Sequence, residues 1–272
     1  MKLCVVDSNH GKAKKAYVKA NNDVYLCSVC GSIMIDIEFN QRQYERENYY
    51  TMIHKNKSDI ENVWGLRWRY ILNRIFDYKR PSSLLDVGAG NGYFVSLASG
   101  EYKVNSVGLE ISEKEIEFAR DILKVNLINE DVMNHNKEYD VVTSFNVIEH
   151  VPEPQRFLSG LIKRLNQNGI LVLTTPNPSC IQAVSKGLKN WCMIDPPHHI
   201  NLFSRNGLKT LIENNNLVEL RYETLSTRLK FTRKIDTDNL LLRRLFSHAL
   251  RILNLGADHL LIAKKSSLMA NS

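Results

Sequence analysis

A chain of 272 residues suits one large domain, or one of about 200 residues with a small appendage. Its hydrophobic share of 43% and charged share of 24% match soluble globular chains and exclude collagen-like, disordered and disulfide-scaffold classes. Thirty-six basic against 29 acidic residues leave a net charge of +7, which admits an anionic ligand, nucleic acid or an acidic surface and selects none of them.

No run approaches the roughly 20 apolar residues of a membrane span, and Lys2-Leu3-Cys4-Val5-Val6-Asp7 is too short for a secretory signal. The expected compartment is therefore cytoplasmic. In a reducing environment the five cysteines (Cys4, Cys27, Cys30, Cys180, Cys192) read as thiols or metal ligands.

Composition divides the chain without internal repeats. Residues 1–40 form a cysteine module, in which Val24-Tyr25-Leu26 and Ile33-Met34-Ile35 predict short strands around the turn Cys27-Ser28-Val29-Cys30-Gly31. Residues 41–80 form a helical cap: Trp64, Trp68, Ile71, Leu72 and Ile75 recur at helical spacing before Pro81 ends the pattern.

From 81 to 272 the pattern becomes α/β. Strands are expected at Ser83–Val87, Val104–Leu109, Val125–Ile128, Tyr139–Phe145 and Ile170–Thr174. Helices are expected at Tyr93–Ser99, Lys114–Leu123 and Arg156–Leu165, with Ser112 as an N-cap. The alternation predicts a Rossmann-like parallel sheet with helices on both faces. Ser204 would cap a helix over Asn206–Asn214, and strands follow at Leu217–Tyr222 and Leu260–Lys264. Two insertions interrupt this domain, 178–203 as a lid and 224–258, where Leu240–Leu253 predicts an amphipathic helix and a candidate oligomer contact.

Asp86-Val87-Gly88-Ala89-Gly90-Asn91-Gly92 follows a strand and opens a helix. Glycines here let backbone amides approach a ligand at the helix N-terminus. The Gly-x-Gly-x-Gly spacing, with an acid two residues before it, differs from the Gly-x-Gly-x-x-Gly of nicotinamide and flavin folds.

These residues resemble motif I of the class I S-adenosylmethionine-dependent methyltransferases, in the UbiE/UbiG-like (type 11/23) branch with a degenerate zinc-ribbon-like start, and later segments follow that family's order. The resemblance covers 82–222 and implies a seven-stranded sheet with S-adenosylmethionine as cofactor. It implies cofactor roles for Asp86, Gly88, Ala89, Gly90 and Gly92, ribose binding by Glu110 beside Ile111, adenine contacts by Asp131 and Val132, and a backbone lining by Asn146 and Val147. His198-His199-Ile200-Asn201 resembles the segment before the family's next helix.

A sulfonium is already an activated electrophile, so the protein's tasks are positioning and proton removal. His150, His198 and His199 are the candidate bases, with Glu149 a weaker one; His150 also reads as a helix-start residue that packs over the cofactor or bonds a backbone carbonyl, and His198 and His199 as turn structure after Pro196-Pro197. The branch can carry a Glu, Glu, His metal set near His150, where Asn146 replaces the first acid. Tyr49-Tyr50 and the Trp64 helix occupy the position of a cap over the methionine end, and Arg67 or Arg69 could pair with its carboxylate. Trp191 and Met193 give the lid an apolar inner face or pack it onto the domain.

Cys27-x-x-Cys30 presents two thiolates from one turn, as a zinc knuckle does. Cys4 would add a third ligand and Asp7 or His10 a fourth, while Cys180 and Cys192 read as buried lid thiols.

The function expected is methyl transfer to a small-molecule or carrier-linked acceptor, with a glycan or sugar intermediate ahead of a quinone-type one. Alternatives are an RNA methyltransferase that binds substrate through the N-terminal module, or a cofactor-binding protein without turnover. Nucleic acid is disfavoured because the basic residues form no stripe beyond Lys12, Lys14, Lys15 and Lys19.

Overall fold

The computed structural model describes residues 2–38, 56–225 and 248–266. The calls on Tyr49-Tyr50 and on most of the 224–258 insertion, including the helix and oligomer contact expected at 240–253, lie largely outside these residues. Contacts divide the chain into two units. One comprises Met1–Glu38, Asn146–Gln155 and Leu173–Leu261; the other comprises Phe39–Phe145, Arg156–Val172 and Ile262–Ser272.

The strands are β1 (Lys2–Leu3), β2 (Lys12–Lys19), β3 (Asn22–Leu26), β4 (Ile33–Asp36), β5 (Ser83–Val87), β6 (Asn105–Glu110), β7 (Ile128–Asn129), β8 (Tyr139–Phe145), β9 (Leu165–Pro176), β10 (Asn201–Leu202), β11 (Leu217–Leu225) and β12 (Asp258–Lys265). The helices are α1 (Lys57–Ile60), α2 (Leu66–Phe76), α3 (Tyr93–Gly100), α4 (Glu113–Phe118), α5 (Pro154–Lys163), α6 (Ile181–Lys186) and α7 (Arg205–Glu213).

The larger sheet has seven strands in the order β11-β12-β9-β8-β5-β6-β7. β5 pairs in parallel with both β6 and β8, and β6 with β7, as the long helical crossovers demand. β5 starts the sheet and chain order reverses on either side of it, so its carboxyl end is a switch point where open α/β sheets bind ligands. Leu84 and Leu85 on β5 and Val141 and Val142 on β8 are fully buried. Such continuous apolar runs suit strands covered on both faces.

Two strands differ most from the sequence expectation. The strand expected at Val125–Ile128 shrinks to Ile128–Asn129, because a π-helical turn over Ala119–Leu123 consumes the residues before it and ends in Lys124 at φ +58°. The strand expected at Ile170–Thr174 lengthens to Leu165–Pro176. The Trp64 helix also has two parts, a π-helical turn at Glu61–Gly65 and then α2, whose buried face is Ile71, Leu72 and Ile75.

The smaller sheet is antiparallel, β1-β2-β3-β4-β10. Its last strand comes from the lid segment: Asn201 and Leu202 pair with Met34 and Ile33. Trp191 is buried against Val24, Ile33, Ile35, Cys180 and Leu202, with Met193 packed on the same cluster. Packing onto the cysteine module, rather than an open inner lid face, is therefore the role of this apolar pair. Cys180 is buried as expected, whereas Cys192 is exposed.

Gly108 on β6 tests the packing behind the glycine-rich turn. A Cβ there would lie 2.5 Å from Leu127 Cδ2 and 2.9 Å from Ala89 Cβ. Gly108→Ala is expected to destabilise the chain by about 1–3 kcal/mol, because a close-packed interior gives way only by backbone or rotamer strain. A denaturation midpoint unchanged from wild type would contradict that packing.

Candidate functional site

The turn after β5 is shaped by three glycines in the left-handed region, Gly88 at φ +74°, Gly90 at φ +53° and Gly92 at φ +76°. Side-chain-bearing residues rarely adopt this conformation. Gly88 and Ala89 amides donate to the Leu109 carbonyl, both at 2.9 Å, anchoring the turn to the end of β6.

Glu110 then closes the arrangement. One carboxylate oxygen accepts from the Gly90 amide at 2.7 Å, and the other accepts from the amides of Ile111 at 2.8 Å and Ser112 at 2.9 Å. Burial pushes its pKa up, opposed by those amides. Asp86 is buried at the end of β5, accepts from the Thr143 hydroxyl at 2.7 Å, and has its pKa raised to about 7 by burial.

Asp86, Gly88, Ala89, Gly90 and Asn91 line a partly open cavity together with Trp64, Trp68, Phe94 and Phe145. The rings pack in a cluster: Trp64 stacks on Trp68 at 5.8 Å, and Trp68, Phe94 and Phe145 meet edgewise or tilted at 4.7–5.4 Å. Sequence reasoning placed the Trp64 helix as a cap and missed these aromatic walls. The signal available was Trp64 and Trp68 at i, i+4, both on one helix face.

Polar backbone together with aromatic faces suits a ligand with a polar nucleoside part and a soft cation. The residues present therefore fit S-adenosylmethionine. Glu110, whose carboxylate oxygens can accept further hydrogen bonds, would hold hydroxyls, and the backbone of the glycine-rich turn would line the cofactor.

The two arginines considered for the cofactor carboxylate differ in their surroundings. Arg69 is engaged by Glu61 and Glu101. Arg67 lies over the rings of Trp64 and Trp68, 5.7 Å from each centroid. Asp131 is exposed and accepts from the Met133 amide at 2.8 Å, while Val132 is buried. Gly92 starts α3, with Ala119 and Leu127 close to where a Cβ would sit.

The other unit gathers the candidate bases. Asn146, at φ +54°, donates its amide to the Thr174 carbonyl at 2.9 Å and accepts the Thr174 hydroxyl at 2.5 Å. After Val147 the chain makes a single 3-10 turn, Ile148–His150. His150 Nδ1 lies 2.8 Å from the His198 carbonyl, and His199 Nδ1 lies 2.8 Å from the Met193 carbonyl. A carbonyl only accepts, so both Nδ1 atoms carry hydrogens and each lone pair sits on Nε2.

The two rings stand 4.8 Å apart, and ligand atoms of Glu149, His150 and His199 lie within 4.8 Å of one another. His198 does not join them; it faces Asp195 at 3.3 Å. Glu149 is fully buried: one oxygen accepts from Thr175 at 2.9 Å and the other has no hydrogen-bond partner among the described residues. Burial raises Glu149 to about 8, and burial together with the neighbouring His199 lowers His150 to about 4. Both groups are therefore neutral near pH 7, a carboxylic acid beside two uncharged imidazoles.

Of the cysteines named from sequence, Cys4, Cys27 and Cys30 come together, and His10 joins them. Asp7 does not; it caps the turn Ser8–His10 and accepts from Asn214 at 3.0 Å.

The burial of Glu149 has a pH signature. Between about pH 4.5 and 8 the folded chain keeps a proton that the unfolded chain has lost, so stability falls as pH rises through that window. His150 acts oppositely only between about pH 4 and 6.5. Measured with chelator present, Glu149→Gln should lose up to about 1.4 kcal/mol per pH unit of that decline between pH 7 and 8. Parallel stability curves for variant and wild type would show that Glu149 is ionised in the folded chain.

Comparison with known proteins agrees with this geometry. A methyltransferase domain family model matches residues 61–221. The chain is 33% identical over 127 residues to a ubiquinone biosynthesis O-methyltransferase of Rickettsia typhi, covering 43% of this chain and 52% of that protein. It is 31% identical over 134 residues to one of Pelagibacter ubique, covering 43% and 55%. The chain thus spans about half the length of the curated relatives it matches.

Its fold is similar to an S-adenosylmethionine-dependent methyltransferase from Archaeoglobus fulgidus, with TM-score 0.56, 24% identity, and coverage of 80% of this chain and 100% of that one. It is also similar to magnesium protoporphyrin IX methyltransferase from Synechocystis PCC 6803, solved with bound S-adenosylhomocysteine, with TM-score 0.53, 17% identity, and coverage of 85% and 90%. With the family model spanning more than half its length, the chain belongs to the methyltransferase domain family and has the class I S-adenosylmethionine-dependent methyltransferase fold.

Proposed function

We propose that this protein transfers a methyl group from S-adenosylmethionine to an oxygen of a small or carrier-linked acceptor. The observation that carries this reading is the Glu110 carboxylate bound to the Gly90 amide at the mouth of the glycine-rich turn. It sets a hydroxyl-binding carboxylate beside a cavity lined by Trp64, Trp68, Phe94 and Phe145. When bound, the cofactor supplies an electrophilic methyl group on a sulfonium centre.

The chain's own residues do the rest. Glu110 and the amides of the turn bind and orient the nucleoside part, with Asp131 and Val132 assigned to the adenine. The aromatic walls exclude water and favour a cation over their faces. An oxygen nucleophile must lose its proton, and His150 Nε2 is the base assigned here, with Nδ1 held by the His198 carbonyl to fix ring and tautomer. A depressed pKa leaves this imidazole unprotonated near pH 7 but weakens it as a base, so proton removal depends on its position against the acceptor. His199 is the second base candidate, and His198, turned toward Asp195, is the weaker one.

The relatives named as ubiquinone biosynthesis O-methyltransferases support oxygen as the acceptor atom and move a hydroxylated, quinone-type acceptor ahead of the sugar acceptor suggested by the cysteine module. An apolar aromatic wall supports the same order.

Two measurements test this reading. Calorimetry should show S-adenosylmethionine binding weakened about tenfold or more in Glu110→Ala, the loss expected for hydrogen bonds to a charged group. Unchanged affinity would remove Glu110 from the cofactor site. Incubation with methyl-labelled cofactor and separate hydroxylated-ring, sugar and RNA pools should place the label in the first. In that reaction His150→Ala should lower kcat by about tenfold or more with cofactor affinity retained. An undiminished kcat would exclude His150 as the base.

A further inference from the structure

The cysteine module holds a second constellation that methyl transfer does not use. Cys4 lies just after β1, His10 ends the following 3-10 turn, and Cys27 and Cys30 flank the turn between β3 and β4. Three separate pieces of backbone therefore deliver one side chain, one side chain and two side chains to a single point. All three sulfurs are buried, and the four ligand atoms lie within 4.8 Å of one another.

The separations discriminate between the possible fates of these thiols. Cys4 Sγ and Cys30 Sγ are 3.7 Å apart, far beyond a disulfide bond of about 2.05 Å. His10 Nδ1 is 3.5 Å from Cys4 Sγ and 3.8 Å from Cys27 Sγ. A tetrahedral zinc ion with bonds of about 2.3 Å to sulfur and 2.0–2.1 Å to nitrogen sets sulfur–sulfur edges near 3.8 Å and sulfur–nitrogen edges near 3.6 Å. The three separations Cys4–Cys30, Cys4–His10 and Cys27–His10 already match those edges, and the remaining ones lie within 4.8 Å.

The backbone also matches what bound thiolates require. The Cys30 amide points to Cys27 Sγ at 3.5 Å, and the turn closes through Gly31, at φ +76°, whose amide donates to the Cys27 carbonyl at 2.9 Å. Amide donors near sulfur stabilise its anionic form. The alternative fourth ligand, Asp7, is occupied as a turn cap and by Asn214.

We infer that Cys4, His10, Cys27 and Cys30 bind one zinc ion in a closed tetrahedral site that clamps the cysteine module and, through β4, the segment carrying His199. Binding places three thiolates and one imidazole on the ion and releases the thiol protons to solvent, with no redox change. Four protein ligands leave no open position, so the ion is structural.

The second half of the inference follows the hydrogen bonds outward from the ion. The Cys30 carbonyl accepts from the Ser204 hydroxyl, and Ser32 Oγ accepts from the Ser204 amide at 3.2 Å. β4 pairs with β10, and the Ile35 amide donates to the Ile200 carbonyl at 2.9 Å. Ile200 follows His199 directly, and its own amide donates to the Glu149 carbonyl at 2.9 Å. The zinc clamp is thus linked to the histidine cluster through the β4–β10 pairing and the Ile200–Glu149 hydrogen bond.

The test uses the full chain expressed with zinc and purified without chelator. Elemental analysis should find about one zinc per chain, and cobalt exchange should give the absorption of a tetrahedral thiolate site. Alkylation read by mass spectrometry should label only Cys192 in the loaded protein; chelation should expose Cys4, Cys27 and Cys30. Hydrogen exchange at 200–202 should rise on chelation and fall again when zinc is restored. His10→Ala should weaken zinc retention about tenfold or more, whereas Asp7→Asn and Cys180→Ala should keep the metal.

Less than about 0.2 zinc per chain, an octahedral cobalt spectrum, or alkylation indifferent to chelator would overturn the site. Loss of metal in Asp7→Asn with retention in His10→Ala would overturn the ligand set. Exchange at 200–202 that ignores zinc would overturn the clamp. None of these readouts depends on methyl transfer, so the zinc site and the enzymatic reading stand or fall separately.

Discussion

The carboxylate of Glu110 is the interaction on which the cofactor half of the molecule depends. It ends β6, yet it binds the Gly90 amide from the turn after β5 as well as two amides of its own turn. Taking a carboxylate out of water without donors would cost several kcal/mol, and a turn full of amides without acceptors would carry a similar penalty. Each solves the other's problem. The result ties together the carboxyl ends of two adjacent parallel strands at the switch point of the sheet. The three glycines, the crowding around Gly108 and the buried Asp86 all follow from the need to bring that turn close to β6.

A different constraint governs the other unit. Glu149 is held away from water with one of its oxygens hydrogen-bonded and the other without a partner among the described residues, and burial lowers the pKa of the two imidazoles beside it. Such a cluster survives only because its backbone is fixed elsewhere. Ile200 is bonded on one side to the Glu149 carbonyl and on the other to Ile35 of β4. The small sheet is therefore part of the frame that sets the histidines, and the burial of Trp191 against Val24 and Ile33 gives that frame its apolar core.

Much of this was legible in the residues. β5 and β8 appear at the boundaries expected from their apolar runs, and Ser112 and Ser204 cap helices as their spacing indicates. These signals are local: period, cap and turn chemistry. The Gly-x-Gly-x-Gly turn and Glu110 were readable because their order along the chain reproduces a known family. What escaped was non-local. That Trp64 and Trp68 wall a cavity depends on which residues face them, and that His10 rather than Asp7 completes the cysteine set depends on a turn whose cap claims Asp7. The pairing of 201–202 with β4 lies about 170 residues away in sequence, where no periodicity reports it.

Cofactor-dependent hydrogen exchange tests the central claim most directly. The account predicts that S-adenosylhomocysteine slows exchange at the amides of 88–92 and 110–112, since those groups meet the ligand or are held by the carboxylate that does. Binding without protection at either segment, or protection confined to another part of the chain, would contradict the placement of the cofactor on the glycine-rich turn.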